Sequence, residues 1–127
     1  MANVLWVGVG GFIGSVFRYT LSGFVQEWTK RDDFPVGTLT VNILGCLIIG
    51  FLSQLAEARG AFSPETRAFV IIGILGGFTT FSSFGNETIN LLRDGEGSLA
   101  FINVAAQLML GLGAVWLGRT MGHKLWG

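Results

Sequence analysis

Polar and apolar positions are sorted along this chain into blocks far longer than the faces of a soluble helix. Segment 3–25 carries one charge, Arg18, and segment 34–56 carries none. Segment 66–92 has Arg67 near its start and Glu87 near its end, and 98–122 has Arg119 close to its exit. Each is long enough for the ~20 residues that cross a hydrocarbon core. The pattern therefore predicts an all-α integral membrane protein with four transmembrane helices in a single domain over 1–127. The first segment is expected to stay as a span, since no basic residue precedes it and it outruns a signal h-region. Asp32-Asp33-Phe34-Pro35 predicts a capped start with proline in the first turn of the second helix. Ser63-Pro64-Glu65 predicts the same for the third, and Ser98 is the expected cap of the fourth. Gly60, Gly95 and Gly97 fall in the connections. These connections leave no room for a soluble catalytic unit, so the chain is not expected to be an enzyme.

Composition sharpens the exclusion. The 8 basic and 8 acidic side chains balance, and the charged fraction of 13% is about half that of a soluble domain. A zero net charge proposes no nucleic-acid partner. Cys46 stands alone, which excludes an internal disulfide and a cysteine-only metal site.

Orientation is nearly undecided. Arg59, Arg67, Arg119 and Lys124 would share one side of the membrane, and Lys30, Arg31 and Arg93 the other; Arg18 would balance the two sides. Basic residues set topology, so this balance allows either a weak bias or insertion both ways with an inverted partner. The spacings Gly10-x-x-x-Gly14, Gly73-x-x-x-Gly77 and Gly118-x-x-x-Gly122 permit close helix approach. They are expected to support association, on faces the sequence does not identify.

Polar groups at membrane depth are the candidate chemistry. At 1.5 Å of rise per residue, Asn42 lies about 5 Å and Arg18 about 6 Å from the middle of their spans, with Glu87 about 12 Å out. Arg18 either snorkels or faces a wet cavity, and Asn42 either ties two helices or lines an anion path. Residues 73–87, GILGGFTTFSSFGNE, set paired glycines near the middle of the third span. A break there would free carbonyls and amides that lipid cannot satisfy. Phe78, Phe81 and Phe84 recur at helical spacing beside Thr79, Ser82 and Ser83. The stripe faces either lipid or a pore. Gly8-x-Gly10-Gly11-x-x-Gly14 imitates a dinucleotide loop only faintly, because Ile13 takes the last glycine position of the motif.

Three motifs carry a resemblance over essentially the whole chain. They are Gly10-Gly11-x-x-Gly14-x-x-x-Arg18-Tyr19, Gly37-Thr38-Leu39-x-Val41-Asn42-x-x-Gly45 and Gly76-Gly77-Phe78-Thr79-Thr80-Phe81-Ser82-Ser83-Phe84. With them the chain resembles the bacterial fluoride channel/exporter family. The resemblance implies an antiparallel, dual-topology homodimer with a broken third helix in the bacterial cytoplasmic (inner) membrane, surrounded by lipid. It implies passive, selective fluoride conduction along two pathways per dimer, exporting the ion from the cytoplasm. Phe81 and Phe84 match the phenylalanines whose ring edges line the pathways, and Asn42 matches a pore-facing asparagine. Thr38, Thr79, Ser82 and Ser83 are the matching candidates for hydroxyls that replace hydration, and Arg18 matches a vestibule arginine. Gly76 and Thr79 match residues whose backbone oxygens hold a structural sodium ion at the dimer axis. The competing reading is a small multidrug or cation–proton antiporter of dual topology. That mechanism calls for a deep carboxylate in the first span, where this chain has Arg18, and Glu87 is too peripheral to substitute.

Overall fold

The computed structural model describes residues 2–126 and resolves them into four membrane-length helical spans. The first is α1 (Ala2–Thr29), the second α2 (Val36–Arg59) and the last α6 (Gly97–Trp126). The third span, Pro64–Arg93, is composite. It opens as α3 (Pro64–Arg67), widens into a π-helical stretch (Ala68–Leu75), and returns to α geometry in α4 (Gly76–Phe78). It breaks at Thr79-Thr80 and resumes as α5 (Phe81–Arg93). All four spans exceed the lengths that hydropathy outlines, because the helices run on through polar residues such as Thr29, Arg59, Arg93 and Lys124.

Helix starts divide into local and distant devices. Ser63 caps α3 as its sequence predicts: its Oγ accepts from the Thr66 N–H at 3.2 Å, with Pro64 next in the chain. The second span starts differently from the expectation. Pro35 is itself the N-cap and offers no side-chain acceptor, so no aspartate caps this helix. Asp33 is held instead by Arg31, with Nε 3.0 Å from Oδ1. The cap comes from the end of α1, where Gln26 Oε1 accepts the Gly37 N–H at 3.0 Å and Nε2 donates to the Phe34 and Arg31 carbonyls. Ser98 also departs from its expected role: α6 already starts at Gly97, and Ser98 lies within its first turn.

Small residues bring these helices into backbone contact. Gly10 and Gly14 are buried where α1 lies against the π-helical stretch and α4. A methyl at Gly73 would come within 2.9 Å of the Gly10 Cα, and one at Gly77 within 2.7 Å of the Gly11 oxygen. On the other side of the bundle, Gly50 faces the Val115 backbone and Gly118 faces that of Leu47 and Phe51, so α2 and α6 pack equally closely. The three glycine motifs thus serve contacts within one chain, which corrects the expectation that they join copies. The close approach of α1 falls on the π-helical stretch, where Gly10 lies against the Phe69 carbonyl and Gly14 against that of Ile74. Stretches of π-helix are uncommon and recur at functional sites.

The interior is correspondingly thin. Val41, Ile71, Leu75, Phe78 and Phe84 are among its few large apolar side chains, while Val4, Leu5, Phe12, Phe17, Leu112 and Trp116 are open to the outside. On a soluble protein so much exposed apolar surface would mark an interaction face. On spans of this length it meets lipid.

Candidate functional site

The break in the third span gathers Asn42, Gln107 and Arg18 around it. Thr79 (φ −97°, ψ 157°) and Thr80 (φ −151°, ψ 116°) are extended, whereas Gly76 (φ −61°, ψ −39°) is still helical. The break therefore falls three residues beyond the glycine pair that suggests it in the sequence. Gly77 is needed for contact with α1, and two consecutive threonines leave the helix. The Thr79 N–H makes the last ladder bond, to Leu75 O at 3.1 Å. The Thr80 N–H, which an unbroken helix would give to Gly76, goes instead to Asn42 Oδ1 at 2.8 Å. Asn42 Nδ2 returns a bond to the Thr80 carbonyl at 3.1 Å and donates a second to Gln107 Oε1 at 3.1 Å. One side chain thus satisfies both backbone polar groups of Thr80, as a partner strand would.

Two cavities meet at this clamp, and Thr80 lines both. The outer one, about 590 Å³, is walled by Arg18, Thr38, Ser83 and Glu87 and rimmed by Asp32, Asp33 and Asp94. The inner hollow, about 340 Å³, is walled by Asn42, Gly76, Thr79, Phe81, Phe84 and Gln107. Arg18 does not merely snorkel: its Nε donates to the Gly77 carbonyl at 2.9 Å, pinning a cation to the outer cavity's inner wall. The rim is acidic, and the Arg31 guanidinium beside Asp33 holds that carboxyl below the usual carboxylate range. Inside this acidic rim, Arg18 is the cation among the residues that line the cavity.

The other predicted residues divide by what their polar atoms already do. Thr38, almost fully buried, gives its hydroxyl proton to Glu87 Oε2 at 2.9 Å, and Thr79 gives its own to Leu75 O at 3.0 Å. Ser83 Oγ accepts from Thr80 Oγ1 at 3.1 Å, which leaves the Ser83 O–H free in the outer cavity. Ser82 is exposed, 3.4 Å from the same threonine oxygen. The three phenylalanines do not form one stripe, because the break between Phe78 and Phe81 resets the helical phase. Phe78 is buried on the α4 side, beside Gly45. Phe81 and Phe84 pair edge to face, with centroids 5.4 Å apart and planes at 63°. Phe84 is 9% exposed and Phe81 80%, so one ring anchors the other on the open face of the hollow.

Three residues were missed by sequence reasoning. Thr80 caps α5 through its bond from the Ser83 N–H and is the residue that Asn42 holds. Gln107 and Asn103 stand one turn apart on α6, and Asn103, fully buried, donates to Thr88 Oγ1 at 3.0 Å. Their signal was available: Asn103-x-x-x-Gln107 puts two amides on one face of an otherwise apolar span. Glu87 lies deeper in the polar network than its distance from mid-span suggests, half-buried and bonded to Thr38. Among the described residues no cluster of three or more His, Cys, Asp or Glu side chains could hold a metal. A cation at the break would meet uncharged oxygens alone: backbone carbonyls, hydroxyls and side-chain amides.

A four-span helical bundle with a broken third span and polar cavities meeting at the break defines a small multi-pass membrane protein. The chain belongs to the family described as CrcB-like protein, Camphor Resistance (CrcB), whose profile matches residues 5–119. It is 47% identical over 118 residues to the "Fluoride-specific ion channel FluC" of Methylobacillus flagellatus, covering 93% of this chain and 92% of that one. It is 49% identical over 120 residues to the protein of the same name from Opitutus terrae, covering 93% and 90%. It is 45% identical over 121 residues to "Fluoride-specific ion channel FluC 3" of Methanosarcina barkeri, covering 95% and 90%.

Proposed function

We propose that this chain conducts fluoride passively and selectively, and that it does so as an antiparallel pair with two pathways. One observation carries the reading: the break is clamped by the neutral amide of Asn42, beside a hollow that Phe81 and Phe84 line and whose described lining residues include no carboxylate. The names of the relatives supply the ion. Fluoride is costly to dehydrate, and a full charge in the constriction would hold it too firmly to release it. The ring edges of Phe81 and Phe84 carry a weak positive potential, and the free hydroxyl of Ser83 adds a donor. Ser82, Thr38 and Thr79 complete the proposed polar lining, Asn42 shapes it, and Arg18 draws the anion into the vestibule. An inside-negative membrane potential drives the anion outward with about 2.3 kcal/mol per 100 mV. The antiporter alternative has no support in the relatives, and α1 presents Arg18 where that mechanism needs an acid.

The need for a second copy follows from satisfaction of polar groups. Gly76, Ser82 and Phe81 lie on an open face at membrane depth, and the carbonyl of Gly76 has lost its ladder partner to Asn42. Lipid cannot satisfy such groups, whereas an inverted copy covers the face. The backbone oxygens of Gly76 and Thr79 suit a hard monovalent cation such as sodium, which would offset the carbonyl charge where two copies meet.

Reconstituted vesicles loaded with potassium fluoride and potassium chloride should release fluoride when valinomycin is added, with chloride retained. Equal release of both ions would defeat selectivity, and no electrogenic release from folded protein would defeat conduction. Phe81→Ile should cut the flux at least tenfold while leaving the fold intact, since it keeps bulk and loses the ring edge. Vesicles and protein prepared free of sodium should lose both the dimer and the flux; unchanged values would remove the cation from the account. Topology is tested separately with a unique cysteine in the first connection, Asp32→Cys in a Cys46→Ser protein, which leaves every basic residue in place. A membrane-impermeant reagent added to intact cells should label about half the molecules, and labelling of all or none would reject the inverted pair.

A further inference from the structure

We propose that Gln107 is a positioning residue for the break in the third span, acting on it through Asn42. Asn42 offers two N–H groups and one carbonyl oxygen. The Thr80 carbonyl takes one N–H, the Thr80 N–H takes the oxygen, and Gln107 Oε1 takes the second N–H at 3.1 Å. With that last bond every donor of Asn42 is engaged, and its amide plane is fixed from α6, an element outside the third span. Without it the remaining N–H would be left to the hollow, and the side chain could tilt away from Thr80.

A second observation separates this role from packing. Gln107 Nε2 is buried and has no hydrogen-bond partner in the chain, although it lines the inner hollow. A side chain kept only to fill space between α2 and α6 would not carry an unpaired donor, since leucine or methionine would fill it without one. The acceptor end of this amide is the part in use. The geometry of a break made by Thr79 and Thr80 is thus held from α6 through α2, two elements that neither threonine belongs to. This extends the channel reading, because the clamped break separates the two cavities. The structural part of the claim involves no ion.

The test is hydrogen–deuterium exchange at the Thr80 amide of the full-length protein in detergent, read by NMR. Gln107→Met removes the acceptor and keeps the bulk, and should speed Thr80 exchange about 3- to 10-fold, the scale of one net hydrogen bond. Gln107→Glu keeps an acceptor oxygen in the same place and should restore exchange to within about twofold of the parent. Amides within α2 and α6 should not change in either variant. Gln107→Leu serves as a second acceptor-free variant should the methionine protein fail to fold. Unchanged Thr80 exchange in the acceptor-free protein overturns the proposal, and so does a glutamate variant that exchanges as fast as the methionine one. In vesicles, Gln107→Met should lower fluoride efflux in the parent and have no further effect in an Asn42→Ala background. Equal losses in both backgrounds would show that Gln107 does not act through Asn42. The exchange result stands whether or not the vesicles conduct.

Discussion

Fluoride efflux should fall at least 100-fold at neutral pH when Asn42 is replaced by aspartate, and part of it should return on acidification. The carboxylate can still accept from the Thr80 N–H, as Oδ1 does now at 2.8 Å. It has nothing to donate, so the Thr80 carbonyl and Gln107 Oε1, both 3.1 Å from the present Nδ2, would each face another acceptor. Leaving a buried polar atom unsatisfied costs about 1–3 kcal/mol, and two such losses on one side chain release the break. A protonated carboxyl regains one donor, so recovery should appear as pH falls and should be partial, because two bonds need two hydrogens. Vesicle efflux measured from neutral to acidic pH, with size-exclusion chromatography to confirm the fold, decides the matter. Full efflux at neutral pH would mean that the amide donors hold nothing in place.

The second large effect concerns folding. In a Gly14→Ala protein the new methyl would overlap the Ile74 carbonyl oxygen and come within 2.9 Å of the Phe78 nitrogen, both backbone atoms. No rotamer change relieves a backbone clash, so α1 would have to move away from the third span, and overpacking of this kind costs about 1–3 kcal/mol or more. The Arg18 bond to Gly77, one turn along the same interface, would be lost with it. We expect no monodisperse protein in detergent. Gly113→Ala is the control, because nothing lies within 4 Å of a methyl there and helix propensity favours alanine. Equal yield and thermal stability in the two variants would show that the glycine contact is dispensable.

Much of this architecture is legible in the sequence, for reasons that also show where reading fails. Four long apolar runs can be little else than spans, and Ser63-Pro64 caps its helix through a residue only three positions away. Gln26 could not be found in this way: it caps a helix 11 residues further on, across a connection whose aspartates look like the local solution. Glycine carries a deeper ambiguity. It permits either a break or a close approach, and Gly76-Gly77 at mid-span suggests the first where the structure uses Gly77 for the second. The break itself needs extended backbone, which β-branched threonine adopts readily, so Thr79-Thr80 was the better place to expect it. Asn42 was legible as a residue with a task, and the geometry shows the helix-tying one. It ties two spans together, and the tie forms the wall between the cavities. Gln107 stayed hidden because its importance lies in a bond to another side chain, which no pattern along one helix displays.

The π-helical stretch at Ala68–Leu75 has a consequence for inheritance. Each residue of an α-helix turns the chain by about 100°. Losing one residue inside that stretch could let it relax towards ordinary α winding at little local cost. Everything beyond it would then be rotated, taking Thr80 away from Asn42 and Phe84 out of the core. Insertions and deletions that a surface loop such as residues 94–96 would absorb are therefore barred between α3 and the break. In this part of the molecule, the number of residues sets the position of the site as firmly as their identity.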